Sequence, residues 1–150
     1  MSANVILPGI LPFITERIKI EIPSELQYVD PVVTYLTDHL ARFGLSESPD
    51  SNTSTALHEA LTNAIRHGNQ LKPSKKVTIT VELTHEQAIF TITDEGQGFD
   101  PSQVCDPTQK EHLMRNCGRG LLFIRHFMDE VRYNERGNQV TMIKKASRKQ

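Results

Sequence analysis

The chain has 150 residues, the size of one ordinary domain, and 37% of them are hydrophobic against 23% charged, the balance of a soluble globule able to bury a full core. Its 17 basic and 18 acidic residues leave a net charge of −1, which marks neither a nucleic-acid binder nor a membrane binder. Cys105 and Cys117 have no CxxC spacing and no histidine cluster beside them, so free thiols in a reducing cytoplasm are expected, with no disulfide framework and no thiolate metal site.

Residues Met1 to Thr15 read as an extension. Their apolar run is broken by Pro8, Gly9 and Pro12 and has no basic stretch before it, which argues against a signal peptide or a membrane span. From Arg17 to Ile22 charge alternates with isoleucine, the period of a half-buried strand, and Pro23 stops it. Leu26, Val29, Val33, Leu36, Leu40 and Phe43 then recur every three or four residues, as one face of a helix does. Asp30-Pro31 suits its start or a kink, and Gly44 its end. A polar loop over Ser46 to Thr53 leads to a second helix from about Ser54 to His67, with Leu57, Ala60, Leu61, Ala64 and Ile65 on its apolar side and Gly68-Asn69 closing it.

Val77 to Leu83 and Ile89 to Thr93 alternate as strands, and Thr84 to Gln87 between them predicts an antiparallel hairpin. Asp94 to Cys117 is long and punctuated by glycine and proline, the profile of a functional loop. Gly118 to Glu130 reads as a helix with Leu121, Leu122, Ile124, Phe127 and Met128 inward. Val131 to Tyr133 and Val140 to Ile143 read as two last strands joined at Glu135 to Asn138. The sum is an α+β domain spanning residues 1–150, a two-layer α/β sandwich with a mostly antiparallel sheet and its helices on one face.

Three groups of residues carry chemistry. Glu59 and Asn63 are four apart, so they share one helix face, nearly opposite the Leu57–Leu61 stripe at about 100° per residue. Alone, that is a solvated face. Covered, it offers a base and an oxygen ligand suited to Mg²⁺. Asp94 ends a strand, where it could accept a hydrogen bond from an exocyclic amine. Gly96 and Gly98 after it permit close backbone approach or positive φ, as an ordinary glycine turn also would. Gly118-Arg119-Gly120-Leu121 reads as opening a helix, and such a start either leaves N–H groups free for an anion or only permits tight packing.

In this order, Glu-x-x-x-Asn, Asp-x-Gly-x-Gly, a long loop and Gly-x-Gly before a helix resemble the N box and glycine boxes of the GHKL ATPases, whose nucleotide site is the Bergerat pocket. No GxxxxGK[ST] P-loop occurs. Large transducer domains, which chaperone or gyrase relatives need, find no room in this length, and no second long helix forms the acceptor hairpin of a sensor histidine kinase. Asn63-Ala64-Ile65-Arg66-His67-Gly68 and the short second glycine box resemble the anti-sigma-factor serine kinases. Asn116 stands where a full GxGxG box has its first glycine.

The resemblance implies the following roles. Glu59 is a general base toward a partner serine or a water, and Asn63 a Mg²⁺ ligand. Asp94, with Gly96 and Gly98, reads the adenine amine of ATP. Gly118, Arg119, Gly120 and Leu121 line the phosphates, and Pro101 to Cys117 forms a lid over the Glu59 face. From the residues alone, Arg66, Lys110, Arg115 and Arg119 are unranked candidates to reach phosphate, each of which reads first as a solvated surface charge, and His67 reads as a helix-end residue rather than a catalyst. Thr141 is a candidate for the threonine that relatives place near adenine, with Asn138 and Gln139 close to it. The implied partners are a sigma factor and a STAS-domain antagonist, in a cytoplasmic homodimer that contacts no nucleic acid or membrane directly. Two alternatives keep the same boxes: a nucleotide-gated regulatory module without phosphoryl transfer, and the ATPase half of a split histidine kinase.

Overall fold

The computed structural model describes residues 15–45, 52–98 and 124–146. Strand β1 (Glu16–Pro23) is followed by a short 3-10 turn and helix α1 (Val29–Arg42). Helix α2 (Asn52–Asn63) runs directly into one π turn (Ala64–Gly68). Then come strands β2 (Lys76–Leu83) and β3 (Gln87–Thr93), a helical stretch at 124–127, and strands β4 (Glu130–Tyr133) and β5 (Gln139–Lys145). The strands form one antiparallel sheet in the order β1-β2-β3-β5-β4.

Period-two patterning decides which face is covered. Val77, Ile79, Val81 and Leu83 of β2, Ala88, Phe90 and Ile92 of β3, and Val140 and Met142 of β5 are buried. Their neighbours in sequence, such as Thr80, Thr91 and Thr141, are exposed or half-buried on the opposite face. The helices supply the other half of the core: Val29, Val32, Val33, Leu36 and Leu40 from α1, and Ala56, Leu57, Ala60 and Leu61 from α2. This is the two-layer α+β architecture expected from the sequence. A helix of 12 residues is marginal alone, so α2 depends on this packing, at roughly 1.5–3 kcal/mol for each large aliphatic side chain buried.

Local chemistry sets the ends. Gly44 terminates α1 with φ of 70°, while its N–H and that of Leu45 bond back to the carbonyls of Ala41 and Leu40 at 3.1 and 3.0 Å. Helix α1 begins at Val29, one residue before Asp30, which leaves Asp30 in the first turn, where its charge complements the helix dipole. Thr84 closes the β2–β3 hairpin, its Oγ1 accepting from the N–H groups of Glu86 and Gln87 at 3.2 Å each.

Two boundaries differ from the sequence reading. The helix expected over Gly118 to Glu130 stops short: Asp129 N–H bonds the Ile143 carbonyl at 2.9 Å, and Glu130 already pairs with Ile143 in the sheet. The Lys144 ammonium caps the stop by donating to the Phe127 carbonyl at 3.1 Å. Sheet pairing therefore overrides the apolar helical spacing in these last residues. The second helix starts at Asn52, and its last turn is π rather than α, the Asn69 N–H reaching back five residues to Ala64 O at 2.8 Å.

Candidate functional site

Helix α2 holds Glu59 and Asn63 one turn apart, away from buried Leu57 and Leu61, and both are half-buried. The helix then ends in its π turn against the segment that follows β3. That segment is the turn from Asp94 to Gly98, whose first residue continues the inward parity of Phe90 and Ile92 and is only 9% exposed. The Asp94 carboxylate lies against the α-carbon of Gly68, where a Cβ would collide with it. The structure thus brings the end of the Glu59–Asn63 helix directly onto Asp94.

The glycines make this approach possible. A side chain at Gly96 would strike the carbonyl of Gly68, and one at Gly98, where φ is 80°, would strike the carbonyl of Arg136. The close contacts that Gly96 and Gly98 allow are therefore with the protein's own backbone. Gly68, which the sequence suggests as a helix terminator and as part of the family motif, is needed for the same reason.

Several residues that the sequence reading leaves without a role hold this turn. Asn69 is fully buried. Its Oδ1 accepts from Glu95 N–H at 2.7 Å, and its Nδ2 donates to Ser24 Oγ at 2.8 Å and to Lys76 O at 2.9 Å. The Ser24 hydroxyl donates in turn to Lys75 O at 2.7 Å. The Glu95 carboxylate accepts from Lys76 N–H. On the other side, Asn138 accepts from Asp94 N–H at 2.9 Å and donates its Nδ2 to Asp94 O at 3.0 Å, and Arg136 donates to Gly96 O at 3.2 Å. Nothing in a single sequence marks an asparagine after a helix-ending glycine as more than a cap, since its partners lie 7, 26 and 45 residues away.

Burial raises the Asp94 pKa from its ordinary value. The Gly96 N–H bonded to its Oδ1 at 2.8 Å and the nearby charges of Arg136 and Lys75 pull it back down in part. The site therefore presents a desolvated carboxyl with strong appetite for a donor, the chemistry that suits an amino group on a flat apolar base. Asn63 carries a side-chain oxygen of the hard type that would suit a magnesium bridging phosphates, and Glu59 sets a carboxylate one turn before it. The residues present fit a magnesium nucleotide.

Thr141 is not beside Asp94. It pairs with Thr91 and alternates with buried Val140 and Met142, so strand parity turns it to the face away from the helices. Asn138 is the β5-side residue that meets Asp94. Gly118, Arg119, Gly120 and Leu121, the lid at 101–117, and Lys110 and Arg115 lie outside the described residues. Arg66 and His67 are exposed on the π turn.

Comparisons with known proteins agree with this geometry. Residues 22–144 match the model of the histidine kinase-like ATPase domain. The serine-protein kinase RsbW of Staphylococcus epidermidis is 29% identical over 144 residues, covering 90% of each chain. The anti-sigma F factor of Oceanobacillus iheyensis is 32% identical over 136 residues, covering 87% of this chain and 83% of its own. A solved structure of the RsbU and RsbW domains of a Mycobacterium tuberculosis protein superposes with a TM-score of 0.58 at 16% identity, a likeness of fold. The alignment covers 85% of this chain and 31% of that longer one. On the family match over most of its length and its kinship to the anti-sigma F factor, the chain belongs to the histidine kinase-like ATPase family, in the branch of RsbW serine-protein kinases and anti-sigma factors.

Proposed function

We propose that the chain is a single histidine kinase-like ATPase domain. It binds ATP with Mg²⁺, phosphorylates a serine on a STAS-type antagonist, and sequesters a sigma factor in a bacterial partner switch. The observation that carries this reading is the buried Asp94 carboxylate seated on the end of the helix that bears Glu59 and Asn63. A base-reading carboxyl at one end and a base plus a metal ligand on the same rigid helix are the parts that phosphoryl transfer to a hydroxyl requires.

Bound Mg²⁺–ATP supplies the phosphoryl group and the charge neutralisation. The chain's own residues do the rest. Asp94 accepts from the exocyclic amine of adenine and so fixes the nucleotide's depth and orientation. Asn63 offers its side-chain oxygen to the metal. Glu59, one helical turn before it, takes the proton of the partner's serine as that oxygen becomes a nucleophile. Gly118, Arg119, Gly120 and Leu121 would line the phosphates with N–H groups at a helix start, and the lid at 101–117 would close over the Glu59 face and exclude water. Family resemblance supports a homodimer in a bacterial cytoplasm as the working state.

The test separates binding from transfer. Titration calorimetry with a non-hydrolysable ATP analogue, with and without Mg²⁺, and a kinase assay on STAS-domain partners are run on wild type, Glu59→Ala and Asn63→Ala. Glu59→Ala is expected to keep nucleotide binding and lose transfer by about 10²–10⁴-fold, and Asn63→Ala to lose Mg²⁺-dependent binding. Label on the partner should survive acid, as phosphoserine does and phosphohistidine does not. Full transfer by Glu59→Ala would overturn the base assignment. Binding without transfer in wild type would leave a nucleotide-gated regulatory module.

A further inference from the structure

We infer that Asn69 and Asn138 are positioning residues: two carboxamides, one on each side, that hold the Asp94 turn in its base-reading shape before any nucleotide arrives. This rests on the nucleotide reading above.

A turn just past a strand end has backbone donors and acceptors that the sheet no longer satisfies. Here the main chain of Asn138 takes the Asp94 N–H, and the side chains of Asn138 and Asn69, from two distant elements, take the Asp94 carbonyl and the Glu95 N–H. Asn138 takes Asp94 N–H on its own carbonyl and returns its Nδ2 to Asp94 O, which extends the β3–β5 pairing one residue beyond Thr93 and Gln139. Asn69, set by the π turn at the end of α2, takes Glu95 N–H on Oδ1. Gly96 N–H then closes on Asp94 Oδ1 and fixes the rotation of the carboxylate.

The direction of each carboxamide is forced. Asn69 Oδ1 faces an N–H donor. Its Nδ2 faces Lys76 O and a Ser24 oxygen whose proton is committed to Lys75 O, so a flipped amide would lose its bonds at both ends. Asn138 Nδ2 faces a carbonyl, while its Oδ1 accepts from Asn134 Nδ2 at 2.8 Å. The Asn134 Oδ1 is in turn occupied by the N–H groups of Gly137, Asn138 and Gln139 at 2.8, 3.1 and 3.2 Å. Each position needs a donor and an acceptor on one short side chain, which aspartate and alanine cannot supply. A turn held this way has its ordering cost met by the fold, so binding energy goes to recognition.

The consequence is specific to the base. Adenine presents an amine where guanine presents a carbonyl, so discrimination between ATP and GTP reads the placement of the Asp94 acceptor, whereas general loss of stability does not change that ratio. Wild type, Asn69→Ala and Asn138→Ala are compared by calorimetric titration with ATP and GTP in Mg²⁺, and by amide exchange in nucleotide-free protein. Each variant is expected to bind ATP about tenfold more weakly with GTP affinity unchanged, so that the ATP-to-GTP ratio falls about tenfold. Exchange should accelerate at Glu95 in Asn69→Ala, whose N–H loses its side-chain acceptor. Should the fully buried Asn69→Ala fail to fold, the half-buried Asn138→Ala decides alone. A folded Asn138→Ala whose ratio stays within twofold of wild type overturns the inference while the nucleotide reading stands. A wild type that binds neither nucleotide overturns both.

Discussion

The Asp94 carboxyl is kept in a place that burial makes unfavourable for its charge, and the direction of its pKa shift gives that a testable form. Because the folded-state value is raised, the folded protein holds this proton more tightly than the unfolded chain. Stability from Asp94 is therefore present at low pH and is lost as pH rises through the window between the ordinary and the raised values. Asp94→Asn keeps an oxygen for Gly96 N–H and removes the charge. It should melt above wild type at neutral pH, with the gap closing as pH is lowered into the carboxylate range, as thermal melts at a series of pH values would check. The same variant should weaken ATP binding at least tenfold, since an amide is half donor where an acceptor is required. A residue that stabilises when neutralised is the signature expected where function is placed ahead of stability.

At the scale of the element, the connection from α2 to β2 carries the strain. Gln70 and Leu71 both adopt left-handed backbone, with φ of 54° and 60°, and the Leu71 N–H bonds back to Ile65 O at 2.8 Å. Non-glycine residues there cost about 1–2 kcal/mol each. These two residues directly follow the π turn and Asn69, in the short connection that leads into β2. Gln70→Gly should stabilise by about 0.5–1 kcal/mol and raise Tm by roughly 2 °C, with ATP binding intact. A fall in Tm would mean that Gln70 makes interactions that outweigh its backbone cost.

For the whole molecule, strand order sets where the fold opens. Among the described residues, strands β2, β3 and β5 are paired on both sides, while β1 and β4 are edges, and β1 ends in Pro23, which an edge tolerates. Native-state hydrogen exchange should show the amides of β2 and β3 opening only with global unfolding and those of β4 exchanging first. Slow exchange throughout β4 would indicate that another surface covers that edge. Helix α2 buries Leu57 and Leu61 in the core beneath the Glu59–Asn63 face, and the Asp94 turn follows the central strand, β3.

What was legible in the sequence is what depends on short range. Alternation in Arg17 to Ile22 and Val77 to Leu83, three-to-four spacing in Leu36, Leu40, Leu57 and Leu61, and Gly44 as a stop are consequences of backbone geometry acting over a few residues, and each stands in the structure. The family motif was legible too, because Glu59, Asn63, Asp94, Gly96 and Gly98 keep their spacing along the chain. Three things only the tertiary structure decided. The helix after Phe127 yields to pairing of Glu130 with Ile143. Strand parity turns Thr141 away from Asp94 and puts Asn138 there. Asn69 becomes the buried link among Ser24, Lys76 and Glu95. The physical reason is common to all three: a hydrogen bond between residues far apart in sequence outweighs local preference, and its partners are known only once the sheet has formed.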